Sequence, residues 1–283
     1  MISKSDKLIL RELAKSNYEL SQRDENRERI IRIRQTNGLV PVRPIVWIDE
    51  IPWKQMNIDG SLDLVCESEL ARKIEFFFRC IQTRWKYFQA DMVVEDAFYI
   101  PKSFTSTDIG IKIKEDILSI ESSSDIVSHR YVDQLDTEEK VEALKLPKIQ
   151  SNPDIDEKNL EIADDIFNGA IPVRLRGYGI YYAPWDEISM LRGVQPILID
   201  MLEKPDLLHK TIRKFTDIGL SRYEQMEDEG LLDYNIQSLH CTPPYCDELP
   251  ASDYDGGKVR LKDIWFRGMA QVFSSVSPSM HDE

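Results

Sequence analysis

Residues 183–215 read APWDEISMLRGVQPILIDMLEKPDLLHKTIRKF, and their punctuation decides the fold. The run just before them, IPVRLRGYGI (171–180), predicts a strand. Asp186 is placed to cap a short helix, because its carboxylate accepts from the first free backbone N–H groups. Gly193 is expected to end that helix at positive φ. Pro196 and Pro205 suit first-turn positions, where the missing N–H had no partner to lose. Pro205 then opens a long amphipathic helix, with Leu208, Ile212, Phe215, Ile218 and Met226 on one face and Gly230 as its stop. A strand, a loop at its C-terminal end and clustered helices make one βα unit, and in α/β enzymes such loops carry the chemistry.

Upstream, residues 3–37 predict helix in two pieces, closed by Asn37-Gly38. Their charge marks residues 1–40 as a helical cover over residues 41–283. Val42–Ile48 reads as a first core strand ended by Asp49-Glu50. Residues 67–88 predict a helix with Leu70, Ile74, Phe77, Ile81, Trp85 and Phe88 inward. Met92–Val94 reads as a second strand, closed by Glu95-Asp96. Residues 102–150 break the rhythm. Ile109, Ile111 and Ile113 alternate, which predicts a β-hairpin insertion with a polar tip, placed to act as a lid. Thr137 starts a short helix before Pro147, and 156–168 predicts another.

Downstream, 233–239 and 269–276 read as fourth and fifth strands. Ser277 and Pro278 then signal a helix start at the chain's last residues. About five core strands precede it, and the ending reads either as a short terminal turn or, as the family resemblance given below implies, as the C-terminally truncated end of a (β/α)8 barrel that needs eight strands.

Composition narrows the classes. The chain has 283 residues, enough for one large α/β domain. Its 36 basic and 50 acidic residues give a net charge of -14 and leave no basic stripe, which argues against nucleic acid. No apolar run reaches the ~18 residues of a membrane span. The first residues lack a signal peptide's apolar core. Cys66, Cys80, Cys241 and Cys246 do not form a disulfide framework, so a reducing, cytoplasmic setting is expected.

The candidate chemistry lies at strand ends. In a parallel barrel, Asp49-Glu50 and Glu95-Asp96 would share one face. One carboxylate with a raised pKa would then serve as general acid or base, although acids at strand ends also cap loops. Arg174 and Arg176 are two apart on a strand and share a face, suited to ligand carboxylates or to these acids. Tyr178 adds aromatic surface nearby. Asp247 and Glu248 extend the acidic set. His240, Cys241 and Cys246 are three potential metal ligands within seven residues, but adjacent ligands are awkward and Pro243-Pro244 stiffens the loop. Gly177-x-Gly179 lacks a third glycine and a following helix start, and Gly256-Gly257-Lys258 lacks phosphate-loop spacing. Neither NAD nor ATP is expected.

The pattern W-D-x-x-x-M-L-R-G-x-x-x-x-L-x-D-x-x-x-x-P-x-x-x-H, from Trp185 to His209, resembles the uroporphyrinogen decarboxylase superfamily, which includes corrinoid-dependent methyltransferases. RPIVWIDEIPW, DMVVED, PVRLRG and QVFSSVSPSM resemble further pieces of it. The resemblance implies an α/β (β/α)8 TIM barrel with N-terminal helices. It also implies substrate-binding roles for Trp47 and Gln271, and makes the charged residues of 186–215 mostly scaffold. The decarboxylase carries two arginines in a M-R-Q-A-G-R motif that hold its substrate's acid groups. The matching place here is Trp47-Ile48-Asp49-Glu50-Ile51-Pro52-Trp53, with acids instead. An acidic mouth repels a tetrapyrrole with eight carboxylates. The resemblance therefore favours methyl transfer between a small methylated substrate and a corrinoid on a partner protein. Uroporphyrinogen decarboxylation in porphyrin biosynthesis is the alternative, and an inactive fragment a third. Zinc is the cofactor implied for the methyltransferase branch, there held by His-x-Cys and a later Cys. A homo-oligomer is left open.

Overall fold

The computed structural model describes residues 2–88, 90–118 and 128–282, as a mixed fold of helices and short strands. The chain divides into two compact units, each assembled from three segments. Residues 104–150 fall in the second unit and residues 1–40 in the first.

The first unit comprises Met1–Ser103, Ser151–Gly179 and Leu231–Trp265. Its helices are α1 (Lys4–Ser21), α2 (Asp24–Asn37), α3 (Glu69–Tyr87) and α5 (Pro153–Phe167). The two-piece N-terminal helix is as expected, with Ser3 capping α1 through Asp6 N–H. α2 ends at Asn37, but the left-handed residue beyond it is Leu39, not Gly38. Leu10 and Ala14 of α1 meet Ala71, Ile74 and Phe78 of α3 and Ala163, Ile166 and Phe167 of α5 in one apolar core. The inward face of α3 is thus rotated from expectation: Leu70 and Phe77 are exposed, while Ala71 and Phe78 are buried.

Strand β1 (Phe98–Pro101) pairs in parallel with β6 (Val173–Arg176), in the register Phe98 to Val173 and Pro101 to Arg176. A parallel pair needs a crossover between its strands, the signature of an α/β chain. The other strands expected in this unit do not form ladders. Val42–Ile48 forms no strand: the chain bends at Arg43, Pro41 and Pro44 carry no donor, and Asp91 takes the Val46 N–H at 2.8 Å. Met92–Val94 is buried as expected, yet side chains satisfy its backbone. The Asn26 amide bonds both Val94 N–H and C=O, Arg29 donates to Met92 O, and Gln237 donates to Val93 O. The strand follows this run instead, so Glu95-Asp96 precede β1. Residues 233–239 likewise form no strand; the ladder is reduced to one parallel bridge between Tyr178 and Leu232.

The second unit comprises Phe104–Gln150, Ile180–Gly230 and Phe266–Glu283. Strand β2 (Phe104–Ser106) pairs with β5 (Ile149–Ser151). The expected hairpin is β3 (Glu115–Leu118) against β4 (Ser128–Tyr131), antiparallel, and begins later than the 109–113 arm proposed for it. Ile109 is instead buried in the core, and the hairpin's tip lies outside the described residues. Thr137 caps α4 (Glu138–Glu142), as read.

In 183–215 the helices are α6 (Pro184–Arg192), α7 (Val194–Glu203) and α8 (Pro205–Asp228). Pro184, not Asp186, opens α6, because a first-turn proline already occupies that place; Asp186 sits in the first turn and accepts from Tyr181 OH at 3.1 Å. Gly193, at φ 82, ends α6 and starts α7 at once. Leu208, Phe215 and Ile218 of α8 pack with Trp185, Ile188, Leu191 and Ile197. Buried Arg192 is held by Asp133 (3.1 Å) and Asp200 (2.7 Å), a structural role as expected for this stretch. β7 (Ile180–Tyr182) pairs in parallel with β8 (Phe266–Gly268). Residues 269–276 form no strand but a 3-10 turn, Gln271–Phe273, before α9 (Pro278–Asp282), whose start at Ser277-Pro278 is as read. No described helix is long and apolar enough to cross a membrane.

Candidate functional site

The face of β1 and β6 in the first unit gathers the predicted arginines. Residues two apart on β6 project to one side, and both Arg174 and Arg176 meet Tyr99, which stands beside Arg174 in the ladder. Arg176 lies over the Tyr99 ring, its guanidinium carbon 3.3 Å from the ring centre, and bonds Glu95. Arg174 donates to Asp96 (3.1 and 3.3 Å) and to Tyr99 OH (3.3 Å). Glu95, Asp96, Arg174 and Arg176 therefore form two ion pairs across one tyrosine.

Burial pushes the Glu95 carboxyl above its ordinary range; the Arg176 bond and charge pull it down without cancelling this, and Asp96 adds to the rise. Burial also raises the Tyr245 phenol, with the Glu95 charge adding to it. Glu95 is thus a carboxyl whose proton affinity is raised although a guanidinium is bonded to it. Tyr178 donates instead to Lys102 O at 2.6 Å.

Asp49 belongs to a second group. Its Oδ2 accepts from Cys241 N–H at 3.2 Å and Ser238 Oγ at 3.4 Å, which fixes the loop after 239. His240 and Cys241 both adopt positive φ there. Cys246 Sγ accepts from Trp265 Nε1 at 3.2 Å. Among the described residues no three His, Cys, Asp or Glu side chains are grouped to hold a metal, so His240, Cys241 and Cys246 are not assembled as a zinc donor set. Glu50, Asp247 and Glu248 are exposed, and Asp247 pairs with Arg34 at 3.3 Å. Trp47 is half-buried, its Nε1 without a partner. Gln271 lies in the second unit, exposed on its 3-10 turn.

Sequence reasoning missed Tyr99, Tyr245 and a cavity beside α3. That cavity, of about 310 Å³, is lined by Trp53, Phe77, Ile81, Arg84, Trp85 and Gln237 over a floor of Met92–Val94. The signal for it was present: Phe77, Ile81 and Trp85 were read as an apolar stripe, correctly spaced but assigned to the core.

Comparison with family models, curated proteins and solved structures found no match to the chain.

Proposed function

We propose that this chain is an α/β enzyme of the uroporphyrinogen decarboxylase superfamily, on that family's barrel plan. Its reaction is methyl transfer between a small methylated compound and a corrinoid carried by a partner protein in the cytoplasm. Two parallel ladders, β1–β6 and β7–β8, each join strands separated in sequence by helices, which favours this plan.

The observation that carries the choice of reaction is the neutralised arginine pair. Arg176 is bonded to Glu95 and Arg174 to Asp96, so neither is free for the acid groups of a porphyrinogen. Methyl transfer asks less of the site. A leaving heteroatom keeps the electron pair of its broken bond to the methyl carbon and takes a proton from solvent by way of Glu95, whose burial raises its proton affinity above that of an ordinary carboxyl. Arg176 pairs with the Glu95 carboxylate before and after that transfer. The donor set for zinc does not fit, and no step is routed through it.

The test is the full chain mixed with cob(I)alamin and, separately, methanol, methylamine or dimethyl sulfide, followed by visible absorption. Appearance of the methylcobalamin spectrum with one donor is expected. Release of CO2 from uroporphyrinogen, or no methylation with any donor, would overturn the reading.

A further inference from the structure

Helix α3 carries two apolar stripes. One, through Ala71, Ile74 and Phe78, is spent on the core. The other, Phe77, Ile81 and Trp85, lines the cavity together with Trp53. A pocket with apolar and aromatic walls and few polar groups is the usual form of a small-molecule site, and its volume lies near the lower end, about 300 Å³, of such sites. It has room for one ring and a small substituent, not for a tetrapyrrole.

The polar groups select the ligand. Arg84 lines this cavity, and its Nε is buried with no hydrogen-bond partner. Among the described residues no carboxylate forms an ion pair with it. Arg176 Nε and one terminal nitrogen of Arg192 are likewise buried and unmatched, but those guanidiniums each have a carboxylate, Glu95 for Arg176 and Asp133 with Asp200 for Arg192, and Arg29 has the Met92 carbonyl, whereas Arg84 has none of these among the described residues. A buried donor left unmatched in a folded protein calls for an acceptor from elsewhere. Asp49, whose field reaches Arg84, is already bonded to Cys241 N–H and Ser238. Cys80 also lines the cavity, but burial pushes its thiol up to about 11, so it stays neutral and does not serve as the counter-ion. Gln237 donates from Nε2 to Val93 O at 2.7 Å, which holds its side chain against the cavity floor. Trp53 lies 5.5 Å from the guanidinium carbon and flanks the same space.

We infer that this cavity binds a small planar carboxylate, one aromatic or conjugated ring in size, with Arg84 taking the carboxylate and Trp53, Phe77 and Trp85 taking the ring. A guanidinium matches a carboxylate with two parallel bonds, and it discriminates against a neutral amide of the same shape. The inference does not rest on methyl transfer, and its test has no turnover readout.

The probes are benzoate and its neutral isostere benzamide, titrated into the full chain by calorimetry and by tryptophan fluorescence. Wild type is expected to bind benzoate at least about ten-fold more tightly than benzamide. In Arg84→Met that preference disappears, while the melting temperature holds or rises because a buried N–H with no acceptor is gone. Equal affinity for both probes, no binding of either at millimolar concentration, or a preference that survives in Arg84→Met would overturn the inference. If Arg84→Met does not fold, Ile81→Trp decides: it fills the cavity and leaves Arg84 in place. Loss of benzoate binding in that variant supports the site, and persistence overturns it.

Discussion

Replacing Asp91 by Asn tests how the cavity floor is held. The Asp91 side chain is 1% exposed and serves three donors. Its Oδ1 takes Arg32 at 2.5 Å and Arg43 at 2.7 Å, and its Oδ2 takes the Val46 N–H at 2.8 Å. The Asp91 N–H returns a bond to Val46 O at 2.9 Å. An asparagine has one acceptor oxygen, so its NH2 group must face either Val46 N–H or the guanidiniums, donor against donor. Hydrogen bonds to a charged group are worth about 1.5–3 kcal/mol each. The arginine side chains are 27% and 55% exposed and recover water, so their share is discounted toward surface values. The net loss is about 2–4 kcal/mol, or roughly 4–16 °C in a domain of this size. The pH dependence has a definite sign. Burial pushes the Asp91 carboxyl up, but Val46 N–H, Arg43 and Arg32 more than offset it and hold it below its ordinary value. The stability it contributes is therefore complete above the unfolded value, about 3.9, and is lost as pH falls through the lower folded value. Calorimetry from pH 7 to pH 3 should show the variant's deficit narrowing at the acid end, with chymotrypsin cutting at Trp47 earlier than in wild type. A deficit under about 0.5 kcal/mol at pH 7, or one unchanged at pH 3, would refute the reasoning.

Two further outcomes are expected. Gly177→Ala places a Cβ 2.4 Å from Leu231 O and 2.6 Å from Leu232 O, both backbone atoms, so the Tyr178–Leu232 bridge must open. A loss of about 1–3 kcal/mol in a urea melt is expected, against about 1 kcal/mol for Gly230→Ala, where only the positive φ is strained. For Glu95, the raised carboxyl keeps the proton-donating form populated at low pH, so methyl transfer should fall as pH rises through its folded value. In Glu95→Gln that limb should vanish from the pH–rate profile, with the rate down about 10²–10⁴-fold.

What the sequence disclosed is what local physics decides. Gly193, Pro205, Thr137 and Ser277 act on the adjacent turn of chain, and each marks a helix boundary in the fold. The strands were hidden because their backbone partners are side chains remote in sequence. Asn26 serves Val94, and Gln237 serves Val93 across 144 residues. Such pairings turn β-rich runs into buried chain without a ladder. The facing of helix α3, not its existence, was hidden differently. Its two apolar stripes have the same period, and periodicity alone cannot tell the one that meets the core from the one that lines a cavity. At the site, Arg174 and Arg176 were legible from their spacing, and their pairing with acids was one of two readings left open. Tyr99 was not, because its place under Arg176 depends on the register of β1 with β6.

The state of each arginine bounds the substrate more tightly than the resemblance does. Around the β1–β6 face and the α3 cavity, Arg174 and Arg176 are matched by Asp96 and Glu95, and Arg29 by a carbonyl. Arg84 has no such acceptor among the described residues. A ligand with eight acid groups would have to break both ion pairs and still find most of its charges unmatched, in a chain that carries -14. A ligand with one carboxylate breaks nothing and supplies what Arg84 lacks. The run 92–94 forms the floor of that cavity and continues into Glu95. The cavity floor and the Glu95 carboxyl therefore share one short segment, while Arg84 comes from α3. That segment is anchored by Asn26, Arg29 and Gln237 rather than by a sheet.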